Sequence, residues 1–363
     1  MPDRTIKISV IIPTYNAGKY LKEALDSVFK QSFTDWELIL VDNMSKDNSL
    51  SICESYAQTD DRVCVYKEEK NGAGAARNTG MKMARGEYSM QSNLEILRRG
   101  VDKGSALQKL AEQMERQQAD VVVCNYERNW NGRLLPAAGH EAFSSLDREE
   151  EDFRFKGFFS VGTLSYVWGR LYRKAFLDEH SICFQNLAYA EDKLFNLQCY
   201  LCQAKFGFMD DIGYIYRKND DSISYQYKPE SAKCWLQIAH TVQEQITAGG
   251  SAYRDYEGLV RYTLFFAAFF DAKMEYVEHG KSMKAVRKTL RTYEGDALGH
   301  KCFQKLAFGK EVRRISQGLW KVMMRGFSFG MHCHMFGLLA LGIKFLIDLR
   351  IDERLSDTGL REE

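Results

Sequence analysis

Proline is scarce here, with 4 in 363 residues. Such scarcity argues against a disordered or linker-rich chain. An excess of charge of either sign is also missing. Lys and Arg number 50 against 49 Asp and Glu, for a net charge of +1, whereas a nucleic-acid binder usually carries a strong basic excess. The opening residues, Met1-Pro2-Asp3-Arg4-Thr5, have no apolar stretch of the kind a signal peptide needs. The most apolar late run, Met331 to Ile347, has 17 residues and contains Lys344 and two histidines, so it sits at the lower limit for a spanning helix. The nine cysteines are odd in number and lack framework spacing. They read as reduced thiols, and the chain as cytosolic. Cys199-x-x-Cys202 has no second pair near it, and His332-Cys333-His334 places consecutive residues on a helix, where they point apart. Neither is taken as a metal site.

Apolar residues make up 45% of the chain and aromatics 13%, enough for a sizeable core. Ile8-Ser9-Val10-Ile11-Ile12-Pro13 is a short β-branched run that stops on proline, as expected of a strand buried on both faces. Pro13 cannot donate to a ladder, so the strand ends near it and Thr14, Tyr15 and Asn16 form its tip. Tyr20, Leu21, Ala24, Leu25, Val28 and Phe29 have helical spacing. Trp36 to Asp42 is a second buried strand with an acid at its tip. Asn43 to Ser49 carries turn and cap chemistry, a helix follows to about Thr59, and Val63 to Lys67 is a third strand. This βαβαβ order predicts an α/β fold with a mainly parallel sheet flanked by helices. Ligands of such sheets bind at the carboxyl ends of the strands.

Asn71-Gly72-Ala73-Gly74-Ala75-Ala76-Arg77-Asn78-Thr79-Gly80 is a glycine-rich loop entering a helix. It matches neither the dinucleotide fingerprint nor the P-loop. Arg77 could serve phosphate or simply lie in solvent. Ser89 to Gly100 reads poorly as a strand, Ala106 to Gln118 as an amphipathic helix, and Ala119 to Tyr126 as a strong strand. Phe143 to Phe159 reads as a mobile or helical connection. Glu191-Asp192 opens another helix, Ile212 to Arg217 is a last strand, and from Pro229 the pattern is helical. Lys310, Arg313, Arg314, Lys321 and Arg325, ahead of an apolar run, suit an anionic membrane face. A buried helix pair or a homodimer contact would leave the same pattern.

Five motifs in order resemble family 2 glycosyltransferases, the inverting enzymes of GT-A fold. They are Ser9 to Asn16, Gln31 to Asp42, Asn71 to Gly80 with Ala84-Arg85-Gly86-Glu87-Tyr88, Trp168-Gly169-Arg170-Leu171-Tyr172-Arg173 with Glu191-Asp192-Lys193-Leu194-Phe195-Asn196, and Tyr214-Ile215-Tyr216-Arg217 with Ser222-Ile223-Ser224. The resemblance implies a GT-A (nucleotide-diphospho-sugar transferase) domain over residues 1–226 and leaves 227–363 as a helical C-terminal region. It implies a nucleotide-diphosphate sugar donor, most readily a UDP-sugar, and a glycan or lipid-linked saccharide acceptor. The expected location is cytoplasmic, with the inner face of the cell membrane as the alternative that the basic C-terminal helices leave open. By position, Pro13, Thr14, Tyr15, Asp42, Asn71, Arg77 and Asn93 line the nucleotide-sugar pocket. Asp192, beside Glu191, matches the base that takes the acceptor's proton. Adjacent acids at a helix start also complement its macrodipole without any catalysis.

Two departures follow. The family's second acid after the second strand is here Asn43, whose amide can still hydrogen-bond a base. More seriously, the acids that would hold Mg2+ or Mn2+ fall on Asn93, Glu95 and Ile96. Hard divalent cations want carboxylate oxygens, so Glu95 alone makes a weak metal ligand. Arg98 and Arg99 could supply cations instead, or be solvated. Three hypotheses compete: an impaired transferase that still binds nucleotide sugar or glycan, an altered metal geometry around Glu95, or a reading-frame error. Codons for Met90 to Ile96 can be chosen so that a shifted frame reads Ala-Val-Glu-Ser-Gly-Asp, an acidic motif of the expected kind. Resequencing the gene here tests the third hypothesis; a continuous frame without compensating shifts removes it.

Overall fold

The computed structural model describes residues 6–94, 96–98, 105–130, 132–136, 150–157, 165–217, 228–316 and 318–351. The chain divides into two compact units, Met1–Ser144 with Tyr166–Asp220, and Ser145–Ser165 with Asp221–Glu363.

The first unit follows the order read from the sequence. Strand β1 (Ile8–Thr14), helix α1 (Gly18–Phe29), β2 (Trp36–Asp42), α2 (Ser49–Thr59), β3 (Val63–Lys67), α3 (Ala73–Met83) and β4 (Tyr88–Gln91) come first. Then come β5 (Ile96–Leu97), α4 (Ala106–Gln117), β6 (Val121–Trp130) and β7 (Arg133–Pro136). The short helix α5 (Glu151–Lys156) belongs to the second unit. The first unit resumes with β8 (Arg170–Arg173), α6 (Lys174–Glu179), α7 (Glu191–Leu201) and β9 (Phe206–Arg217).

Among the described residues the sheet has nine strands, in the order β3-β2-β1-β4-β8-β6-β9-β5, with β7 paired to β6. Strands β3, β2, β1 and β4 run parallel, and β8 is antiparallel to both β4 and β6. All seven positions of β2 are buried, which is why Leu38 to Val41 is an apolar run rather than an alternation. Pairing of Thr14 with Asp42 brings the tips of β1 and β2 level.

Strand β4 corrects the sequence reading of Ser89 onward. Tyr88-Ser89-Met90-Gln91 pairs with Ile8 to Ile11 and is buried throughout, despite two polar side chains. Its place between β1 and β8 overrides its weak local propensity.

At the other end of these strands a buried carboxylate fixes the register. Glu37 accepts from Ser9 Oγ at 2.7 Å, from Arg85 N at 2.7 Å, and from Arg85 Nε and Nη2 at 2.9 and 2.7 Å. Gly86 N donates to Ser9 Oγ at 2.9 Å. This brings Gly86 so close to β1 that an added Cβ would lie 2.6 Å from Ser9 N and 2.9 Å from Ile8 C.

The second unit is helical: α8 (Ser231–Ala248), α9 (Glu257–Glu278), α10 (Met283–Gly295), α11 (Ala297–Phe308), α12 (Gly318–His332) and α13 (Phe336–Asp348). Helix α9 lies at its centre, with Leu264, Phe265 and Phe269 buried and the rings of Trp320 and Phe327 on Phe265 and Phe269. Phe155 of α5 packs on Tyr262 and Phe266. That aromatic contact explains why residues near 150, counted with the first domain in the sequence reading, go with the second unit. The run Met331 to Ile347 is two helices, broken at His334, whose φ of 56° is left-handed. Among the described residues no helix is long and apolar enough to cross a membrane.

Gly86→Ala is expected to lower unfolding stability by about 1–3 kcal/mol, because backbone rather than a flexible side chain blocks the new methyl. Urea unfolding measures this, and wild-type stability would refute the close approach.

Candidate active site

The tips of β1 and β2 are tied by local polar contacts. Asn16 takes a left-handed φ of 46°. Its Oδ1 accepts from Lys46 N at 2.8 Å, and its own N–H donates to Ser45 Oγ at 3.1 Å. This leaves Tyr15 standing out, 53% exposed, while Pro13 is half-buried and Thr14 fully buried. Asp42 is buried. Its Oδ2 accepts from Ser45 N at 3.2 Å, but Oδ1 has no hydrogen-bond partner among the described residues. A buried carboxylate oxygen left without a donor is costly and calls for an explanation.

Asn43 is occupied by the fold. Its Nδ2 donates to the carbonyls of Glu68 (2.8 Å) and Lys70 (2.9 Å), and its Oδ1 accepts from Gly72 N at 2.9 Å. Both N–H groups are used, so the amide that is able to hydrogen-bond a base instead shapes the turn into α3. Gly72, at φ 123°, needs to be glycine there. Asn71 is exposed beside it.

One turn into α3, Arg77 is 3% exposed. Its Nη1 lies 3.2 Å from Glu191 Oε1 and 3.3 Å from Asp192 Oδ1, and its Nη2 donates to Asn93 Oδ1 at 2.7 Å. The guanidinium lies over the Phe184 ring at 5.3 Å. Of the two sequence-based alternatives for Arg77, the solvated one is therefore excluded. Asp192 Oδ2 also accepts from Val167 N at 3.4 Å. Both acids sit in the first turn of α7, after Ala190 at φ 61°, where the helix dipole favours negative charge. Burial, and then the neighbouring Asp192, push the Glu191 carboxyl above its ordinary pKa, against the pull of Arg77.

Three residues that stand in the quoted motifs are given no role in the sequence reading. Lys193 is buried, and burial followed by the charge of Arg170 pushes its ammonium down to about 7. Tyr214 OH accepts from Asn93 N at 3.3 Å. Trp168 stacks on the Tyr214 ring at 5.1 Å, behind that contact. Burial of a lysine next to the acidic pair has no signal in periodicity, whereas the aromatic residues at 168 and 214 do stand out in the sequence.

Among the described residues, the donors around Asn93 do not fit a hard divalent cation. Asn93 offers a neutral amide already engaged by Arg77, and the guanidinium beside it would repel a second cation. Arg98 pairs with Glu127 instead of lying in solvent. Glu95 and Arg99 lie outside the described residues. Among the described residues no group of three His, Cys, Asp or Glu could hold a metal. His332 and His334 do not point apart as expected of one helix. Both rings approach His300, at 5.0 and 6.4 Å, because the helix has ended by His334.

Replacing Arg77 by Met leaves two half-buried carboxylates without their shared cation. We expect a loss of about 3–5 kcal/mol at pH 8. Glu191 is an acid whose folded pKa is raised, so its stabilising contribution is present below the ordinary carboxylate range and lost as pH rises through the folded value. The variant raises that value further, so its deficit should shrink toward pH 5. Thermal unfolding across this range tests the sign, and a deficit that grows on acidification would refute it.

The family model described as Glycosyl transferase family 2 matches residues 9–91, stopping two residues short of Asn93. The chain is 33% identical over 227 residues to the uncharacterized glycosyltransferase EpsJ of Bacillus subtilis, covering 61% of this chain and 64% of EpsJ. It is 32% identical over 224 residues to the glycosyltransferase GlyG of Streptococcus pneumoniae, covering 60% of this chain and 72% of GlyG. The chain thus spans about two thirds of these relatives. The crystal structure of S. aureus TarS 1-349 in complex with UDP shares its fold, with a TM-score of 0.66 over 93% of this chain and 91% of that one, at 19% identity. A match over the β1–β4 motifs, together with relatives of this identity and extent, shows that the chain belongs to glycosyltransferase family 2.

Proposed function

We infer that the first unit binds a nucleoside-diphosphate sugar and passes the sugar, with inversion, to a hydroxyl of a glycan or lipid-linked saccharide. The observation that carries this reading is the junction at Arg77, which joins the acidic pair of α7 to the loop after β4 within 3.3 Å. The UDP held by TarS supports a uridine nucleotide here. Tyr15 is free to stack on a base, and the unpartnered Asp42 Oδ1 can accept from a ribose hydroxyl or a base N–H. Asn71, exposed beside Gly72, is assigned to the same ligand by its place in the motif.

In the proposed transfer Asp192 takes the proton of the acceptor hydroxyl as its oxygen bonds to the anomeric carbon. The bond from that carbon to the diphosphate breaks, and the nucleoside diphosphate leaves with the electron pair. Its developing negative charge needs a preorganised positive partner. Arg77 is the cation at hand, held in place before any ligand arrives. Glu191 shares Arg77 and so helps fix where the guanidinium points.

Two measurements test this together. Asp192→Asn is expected to lower nucleotide release from UDP-sugars in the presence of acceptor by about 10²–10⁴-fold, the usual worth of a general base. UDP binding, followed by calorimetry, should stay within about 3-fold. Wild-type binding of UDP should also survive EDTA. Binding that vanishes with EDTA and returns with Mn2+ would show that Glu95 completes a metal site and would overturn the arginine-based reading. Retained UDP binding with no turnover of any donor would identify a nucleotide-sugar-binding domain that does not catalyse transfer.

A further inference from the structure

The near-neutral total conceals a polarised chain. Residues 281–351 hold 14 Lys and Arg against 4 Asp and Glu, an excess of ten, so the remaining 292 residues carry a net −9. Within the second unit, Lys301, Lys305, Lys310, Arg313 and Arg314 are all exposed.

The same region exposes apolar side chains in an ordered way. Helix α12 buries Trp320, Met324, Phe327 and Met331 and turns Leu319, Val322 and Phe329 outward. Helix α13 buries Phe336, Ala340 and Ile343 and turns Leu338, Leu341, Phe345 and Leu349 outward, at the spacing of one helix face. These seven outward residues are between 38% and 70% exposed. Exposed Phe308 packs its ring on Phe329 at 5.9 Å and so extends the surface to α11. Core packing accounts for the inner face of each helix but not for the outer one.

The basic residues border this apolar surface. Lys321 Nζ donates to Arg313 O at 3.1 Å, and Arg325 donates to the carbonyls of Ala307 (3.2 Å) and Gly309 (2.8 Å). These bonds fix the basic turn 310–314 and Phe308 alongside α12.

We propose that the outer faces of α12 and α13, with Phe308 and the basic turn, form a docking surface for an anionic lipid bilayer. The leucines and phenylalanines would enter the headgroup boundary, and the lysines and arginines would meet lipid phosphates. A second copy of the chain would set this basic surface against its like, which opposes association. A nucleic acid would satisfy the charge but leave the apolar faces in water. The proposal does not depend on the sugar-transfer reading.

Flotation of the full chain with vesicles is the test. Binding is expected to vesicles of equal phosphatidylglycerol and phosphatidylcholine at about 0.1 M NaCl, and to fall at least tenfold at about 0.5 M salt or on pure phosphatidylcholine. Leu338→Asp with Phe345→Asp should cut binding at least tenfold. Lys305→Glu with Arg313→Glu and Arg314→Glu should do the same without touching the apolar faces. All five positions are exposed, so melting temperature and nucleotide binding should be retained, which separates lost docking from lost folding. Wild-type protein left wholly in solution would overturn the proposal. So would equal, salt-insensitive binding to neutral vesicles, or a dimer in light scattering that Leu338→Asp with Phe345→Asp disperses.

Discussion

The first unit is arranged around one buried guanidinium. Arg77 touches Glu191, Asp192 and Asn93, three groups from two later stretches of the chain. Desolvating a cation and two carboxylates is expensive, and only close, saturated geometry offsets the cost. That requirement reaches outward. Helix α3 must begin where Asn43 pins the turn, α7 must begin at Ala190, and the loop after β4 must be held by Tyr214. Each of these supports lies at the carboxyl ends of the parallel strands, where an open α/β sheet leaves room for a ligand.

The same constraint bears on Asn93, where the resemblance expects an acid. An amide at position 93 gives Arg77 a neutral acceptor. A carboxylate there would add a third negative charge to the cluster. In this chain the positive charge beside the acidic pair is a side chain of the fold itself. It needs no cation from solution to be present, although it lacks a metal's double charge.

Much of the architecture was legible because parallel strands buried on both faces must be apolar runs. Val10 to Ile12 and Leu38 to Val41 show this directly. Strand β4 was not legible, because Ser89 and Gln91 are polar and only its neighbours bury it. The acidic pair and Arg77 were found as motifs, but not their contact, which spans 114 residues of sequence. Lys193 was missed because α7 is enclosed on every side, so its burial leaves no periodic trace. The run from Met331 was read as one segment. Only the backbone shows the break at His334 that makes two helices of it.

The Asn43 amide has a consequence for how this chain can vary. It donates twice and accepts once within a single turn. An aspartate cannot donate those two bonds, so restoring an acid at this position would strand the carbonyls of Glu68 and Lys70. Position 43 and the segment 68–72 therefore form one unit of inheritance. A change in the residue requires a change in the course of the loop, and neither can drift alone.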